Sequence, residues 1–192
     1  MFSKFWNLNF TGLPKFIFIL INVSCNKLIE LFNSIFWIYN LRECGDKCII
    51  QKGVTIRYPR NIYFGDNISI GRNVEIFSEC SNGKLIVGSN TNINKNSQID
   101  FTGDLTIGSN VLISETTIIL THDHGYDPKS KPVKKSLFIE DNVWVGQNVM
   151  ILSNVSRIGK NAIIAAGSIV TKEVFSNTIV GGNPAKVIKK IN

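Results

Sequence analysis

Aliphatic residues return every six positions along residues 139–175: Ile139, Val145 and Ile151, then Ile158, Ile164 and Val170. A small residue often follows, as in Val145-Gly146, Ile158-Gly159 and Ile164-Ala165, and Val143, Val149, Val155, Ala162 and Ser168 stand four places on. A period of six fits neither a helix nor a freely paired strand. It fits a chain in which each six residues make one short strand and one corner of a coil. The same rhythm runs loosely through Ile50 and Ile56. It is firm at Phe64, Ile70 and Ile76, at Val87, Ile93 and Ile99, and at Ile107, Ile113 and Ile119. Three such units make a triangular coil, and successive coils stack at the ~4.8 Å spacing of parallel strands. Gly65, Gly71, Gly88 and Gly108 each stand two places before an Asn, and both residue types tolerate the positive φ of a tight corner.

The coil accounts for about residues 46–178 and leaves a different kind of chain ahead of it. Residues 1–45 form an apolar helical segment, with Leu28, Ile29, Leu31, Phe32, Ile35, Phe36, Ile38 and Tyr39 at helical spacing. The run Phe16-Ile17-Phe18-Ile19-Leu20-Ile21 is bounded by Pro14, Lys15 and Asn22, far short of the ~20 residues of a membrane span. No secretory signal is evident. The helix either packs on its own domain or a neighbouring subunit, or docks on a membrane surface. Residues 179–192 close the chain with a turn and a basic tail.

Hydrophobic content of 44% with 18% charged residues is globular. The net charge of +7 calls for an anionic partner. No Lys/Arg run or interleaving of basic and aromatic residues supports nucleic acid. The four cysteines (Cys25, Cys44, Cys48, Cys80) lack CxxC spacing and a matching His cluster, so they read as reduced apolar thiols and no metal is expected.

One interruption breaks the rhythm. Between Ile119 and Ile139 the chain reads Leu120-Thr121-His122-Asp123-His124-Gly125-Tyr126-Asp127-Pro128 and continues through four lysines. Both histidines of the chain lie at the root of this loop, at about residues 121–138.

Three segments together resemble the hexapeptide-repeat acyltransferases: Asn142-Val143-Trp144-Val145-Gly146, Ala166-Gly167-Ser168-Ile169-Val170-Thr171-Lys172, and Gly182-Asn183-Pro184-Ala185-Lys186-Val187-Ile188. The pattern is similar to the maltose, galactoside and xenobiotic acetyltransferases and the polysaccharide O-acetyltransferases, over about residues 46–190. The resemblance implies a mainly β fold, a left-handed parallel β-helix, working as a homotrimer with active sites between subunits. It implies acetyl-CoA as co-substrate and a histidine general base, a role suited to an imidazole that accepts a proton near neutral pH.

His124 begins His124-Gly125-Tyr126-Asp127-Pro128, which matches the family's His-x-x-Asp, often followed by Pro. The resemblance therefore favours His124 as base, with His122 binding the acceptor or orienting its neighbour. Asp127 or Asp123 is a candidate to orient the imidazole, as is a backbone carbonyl. On the same basis Trp144, Asn94 and Asp127 bind the acceptor. Gln147, Ala166, Thr171 and Lys172 line the arm and nucleotide end of CoA, with Pro184 beside the adenine and Lys186 among the candidates for its phosphates. The chain departs from the family in its longer turn at residues 152–158, its shorter histidine loop and its N-terminal helix.

The expected activity is O-acetylation of a sugar hydroxyl of a surface polysaccharide or its precursor, in the cytoplasm, with the inner membrane face as the alternative place. N-acetylation of an amino-sugar nucleotide, acetylation of a xenobiotic, and a non-catalytic scaffold stand as alternatives. A carbonic anhydrase on the same coil needs three zinc-binding histidines, and this chain has two.

Overall fold

The computed structural model describes residues 13–191, with side chains from Val23 onward except those of Ser24 and Cys25. The apolar run at 16–21 falls in the N-terminal helix, but its side chains lie outside the described residues, as do residues 1–12. After the helix, Leu13–Asn40, the chain winds into a parallel β-helix of short strands on three faces. The first face stacks six strands, from Glu43–Cys44 to Arg157–Ile158. The second stacks seven parallel strands, from Ile49–Ile50 to Thr178–Gly181, and the third six, from Thr55–Ile56 to Ile169–Val170.

The six-residue period is the inward register of these strands. Ile50, Ile70, Ile93, Ile113, Val145 and Ile164 form one buried column, paired strand to strand. The columns through Phe64 and Val87 and through Ile76 and Ile99 are equally buried, so a single aliphatic core runs the length of the coil. The coil starts three residues ahead of the expected position 46, at Glu43. At the other end Val180 adds a further buried member above Ile164. The segment from 179 is therefore part coil, and Lys186–Lys190 folds back as an antiparallel strand on Thr178–Gly181.

Two of the three corners are standardised. Between the first and second faces Asn67, Asn90, Asn110, Asn142, Asn161 and Asn177 all take φ between 54° and 59°. Between the second and third faces Asn73, Asn96 and Asn148 take φ between 56° and 60°. Asparagine visits this left-handed region at lower cost than other side chains. Its amide also bonds up the column, as in Asn67 to Asn90 at 2.9 Å and Asn161 to Asn177 at 2.8 Å. The third corner has no such uniformity. It carries residues 78–84 and 120–136, the two long insertions of the coil.

The helix covers an exposed strand edge. Ile49–Ile50 is the outermost strand of its face, and such an edge leaves backbone groups unpaired. Ser34 Oγ accepts the Ile50 N–H at 2.8 Å, and Asn33 Nδ2 donates to the carbonyls of Ile50 and Gln51. Glu30 pairs with Arg72 one coil further on. The opposite side of the helix stays open, with Leu28, Leu31, Phe32, Ile35, Phe36 and Tyr39 exposed. Among the described residues no helix is long and apolar enough to cross a membrane.

Candidate active site

Both histidines stand on the irregular third corner. His122–Asp123 pairs antiparallel with Val133–Lys134, so the polar loop is a small two-stranded flap. Its root is tied by Lys135 N–H to the Thr121 carbonyl at 2.8 Å and by Lys135 Nζ to Asp123 at 2.7 Å. The Lys135 ammonium, with help from the Gly125 N–H, holds the Asp123 carboxyl below the usual carboxylate range.

His122 is anchored by a residue from the coil below. Its Nδ1 lies 2.7 Å from Oδ2 of Asp100, whose side chain has no exposed surface. Asp100 also accepts the N–H and hydroxyl of both Thr102 and Thr121. With those four donors in place, Nδ1 of His122 is the fifth polar group gathered on the Asp100 carboxyl. His124 is held differently: its Nδ1 is 2.8 Å from the Ser130 carbonyl, and Ser130 Oγ donates back to the His124 carbonyl. Both Nδ1 atoms thus face acceptors, which fixes the orientation of the two rings and turns both Nε2 atoms to the same side.

Those two Nε2 atoms converge on Glu79, from the insertion two coils below. Glu79 Oε1 is 3.5 Å from His122 Nε2, and Oε2 is 3.2 Å from His124 Nε2. The two rings meet edge to face, 5.3 Å apart and 88° to one another. His122 is 10% exposed and His124 28%, so His124 presents more of its ring to a ligand. Neither Asp127 nor Asp123 is the orienting group: Asp127 accepts the Lys129 N–H, and Asp123 accepts Gly125 N–H beside Lys135. Asp127 is taken up by its own loop backbone, and Asp123 Oδ2 by Lys135 Nζ and Ser153 Oγ.

The other expected residues collect elsewhere. Trp144 projects from the second face, half exposed, with Nε1 donating to Ser114 Oγ at 3.2 Å. With Asn94, Gln147 and Ala166 it lines an open groove of about 520 Å³ along the second face and its corner to the third. Pro184 and Lys186 belong to the closing hairpin next to that corner, where Gly182 N–H bonds Ser168 Oγ and Ala185 N–H bonds the Ile169 carbonyl. Thr171 and Lys172 lie on the third corner, above the histidines, and the Thr171 carbonyl accepts Asn154 Nδ2. A single chain therefore brings Trp144, Asn94, Gln147 and Ala166 together but not with the histidines. A larger groove of about 730 Å³, around Phe138, Arg157 and Lys160 on the first face, contains none of the expected residues.

Asp100 and Glu79 are the members that sequence reasoning missed. The signal was present in the coil register: Ile76, Ile99 and Ile119 are stacked partners. Glu79 and His122 each lie three places after one of them, and Asp100 one place after. Among the described residues Cys44, Cys48 and Cys80 are free thiols, and burial, with the neighbouring Cys48, pushes the Cys44 thiol up to about 12.

Comparison with known proteins gives a consistent picture. No protein-family model matches this chain. The galactoside O-acetyltransferase of Lactococcus lactis is 31% identical over 155 residues, spanning 78% of this chain and 63% of that protein. WbbJ of Escherichia coli K12, assigned as a lipopolysaccharide biosynthesis O-acetyl transferase, is 31% identical over 159 residues, 75% of this chain and 79% of its own. The hexapeptide-repeat acetyltransferase VCA0836 of Vibrio cholerae, solved with acetyl coenzyme A, superposes with a TM-score of 0.61 at 26% identity. It covers 85% of this chain and 78% of that one.

Proposed function

The chain belongs to the hexapeptide-repeat acetyltransferases, and from that premise we propose that it moves the acetyl group of acetyl-CoA to a sugar hydroxyl of a surface polysaccharide or its precursor. His124 is the general base. The observation that carries this reading is the fixed ring: the Ser130 carbonyl holds Nδ1, which leaves Nε2 as the ring nitrogen turned to the partly exposed corner beside Glu79. Nε2 takes the hydroxyl proton as the acceptor oxygen attacks the thioester carbonyl carbon. The tetrahedral oxyanion collapses, the C–S bond breaks, and the departing thiolate takes the proton back from the imidazolium. This sequence needs neither an acyl-enzyme nor a metal. In the same step His122, fixed by Asp100, orients the acceptor.

Three copies of the chain form the working unit, with each site between two of them. What supports this is the separation within one chain: the Trp144 groove and the histidine corner lie on different edges of the coil. A neighbouring copy laid against the second face supplies what each lacks. The acetyl-CoA arm then runs past Gln147 and Ala166, with Lys172 and Lys186 meeting its phosphates and Pro184 its adenine. Both lysines are exposed, as mobile point charges for phosphate should be.

The test is acetyl-CoA consumption against sugars, sugar nucleotides and polysaccharides, with the product identified by mass. His124→Ala is expected to lower kcat roughly 10²–10⁴-fold, the usual worth of a general base. Full transfer by His124→Ala with none by His122→Ala reverses the two roles. Acetylation only of amines replaces the O-acetyltransferase reading with an N-acetyltransferase.

A further inference from the structure

The geometry points to a binding site for a divalent transition-metal cation, zinc foremost, formed by Glu79, His122 and His124, whose occupation blocks acetyl transfer. The three side chains each offer a ligand atom, and these atoms all lie within 4.8 Å of one another. Tetrahedral zinc with ligands at about 2.0–2.2 Å sets neighbouring ligand atoms roughly 3.3–3.6 Å apart. The carboxylate-to-imidazole separations here are 3.5 Å from Oε1 to His122 and 3.2 Å from Oε2 to His124, close to that range.

A second observation concerns the far sides of the rings. A metal-binding imidazole nearly always gives its other N–H to a carboxylate or a backbone carbonyl, which fixes the ring and its tautomer. Both arrangements are present: His122 on the fully buried Asp100 carboxylate, His124 on the Ser130 carbonyl. Two imidazoles and one carboxylate suit borderline cations and not magnesium or calcium, which take oxygen ligands. Three protein ligands leave a fourth position open to water, and the exposure of Glu79 and His124 gives a route of entry.

The cation is an inhibitor and not a cofactor. Coordination uses the His124 Nε2 lone pair that the acceptor proton would need. That inhibitory half rests on the function proposed above; the binding half does not.

Two measurements on the full chain separate them. Chelator-stripped protein is titrated with zinc in competition with a chromophoric chelator, using wild type, His124→Ala, Glu79→Ala and Asp100→Asn, with circular dichroism to verify folding. The expected result is one zinc per chain in the wild type, no such site in His124→Ala or Glu79→Ala, and roughly 10–100-fold weaker binding in Asp100→Asn. No zinc on the wild type, or equal zinc on His124→Ala, overturns the site. In the second measurement zinc slows transfer and a chelator restores it. Undiminished transfer by zinc-loaded protein overturns the inhibition. Absence of transfer by the stripped wild type counts against the acetyltransferase reading, while the titration still decides the metal site.

Discussion

Nδ1 of His122 and Oδ2 of Asp100 sit 2.7 Å apart, a contact between adjacent coils made where the carboxylate has no exposed surface. Because Asp100 also gathers four donors from Thr102 and Thr121, it positions the ring and the backbone of the histidine loop together. Asp100→Asn turns an acceptor-only group into one that presents N–H toward donors. Leaving buried donors unpaired costs about 1–3 kcal/mol, to be read from the denaturation midpoint. The positioning role is read separately: the slowly exchanging Nδ1–H proton signal of His122 is expected to vanish in Asp100→Asn and to persist in Thr102→Ser.

Gly103 offers a sharper test of the loop root. A Cβ at this position would fall 2.2 Å from the Thr121 carbonyl and 2.4 Å from the Lys135 N–H nitrogen, both backbone atoms. Gly103→Ala must push the two ends of the histidine flap outward. Overpacking of this kind costs about 1–3 kcal/mol. Transfer should fall by more than stability alone explains, and a variant with wild-type kcat and midpoint would show that the flap root yields freely.

Acid weakens the same flap through Asp123. Lys135 and the Gly125 N–H lower its carboxyl below the ordinary 3.8, so the folded form holds its charge to more acid pH than the unfolded chain does. The resulting stabilisation is fully present above about pH 4 and is lost as pH falls through the lowered folded value. Asp123→Asn should therefore be less stable than wild type at neutral pH, and the two denaturation midpoints should converge as pH falls below the ordinary carboxylate range. A gap that persists unchanged in acid would locate the effect of the substitution elsewhere.

The open apolar side of the N-terminal helix should be covered by another copy of the chain. A lipid-surface helix wants basic residues along its polar face. Among the residues with described side chains, Lys27 is the one basic position on this helix, and the polar face is occupied by the coil through Asn33, Ser34 and Glu30. Phe32→Glu combined with Ile35→Glu should lower the mass measured by light scattering, with no change in sedimentation alongside anionic vesicles. The opposite pair of outcomes would assign the stripe to the membrane.

The repeat could be read from sequence because each unit buries one aliphatic residue, and a missing one would leave a void. Ile113, Val145 and Ile164 declare themselves by spacing alone, and all three are fully buried. Asn67, Asn90 and Asn142 likewise mark corners through a local backbone preference. The site is less legible because its members are neighbours only through stacking. Glu79 lies 43 and 45 positions before the two histidines it touches, and Asp100 lies 22 before His122. Asp127 shows the opposite case: it is close to His124 in sequence, yet its carboxylate accepts the loop's own Lys129 N–H.

The contrast between two uniform corners and one irregular corner has an evolutionary reading. Lengthening a flexible loop is cheap, about 0.6 kcal/mol for each doubling, whereas a change inside the aliphatic column disturbs every coil above and below it. The prism can therefore keep its load-carrying edges constant while residues 78–84 and 120–136 vary in length and content. New acceptors would be acquired by rewriting those two inserts, and exchanging them between relatives is the natural way to transplant specificity without refolding the scaffold.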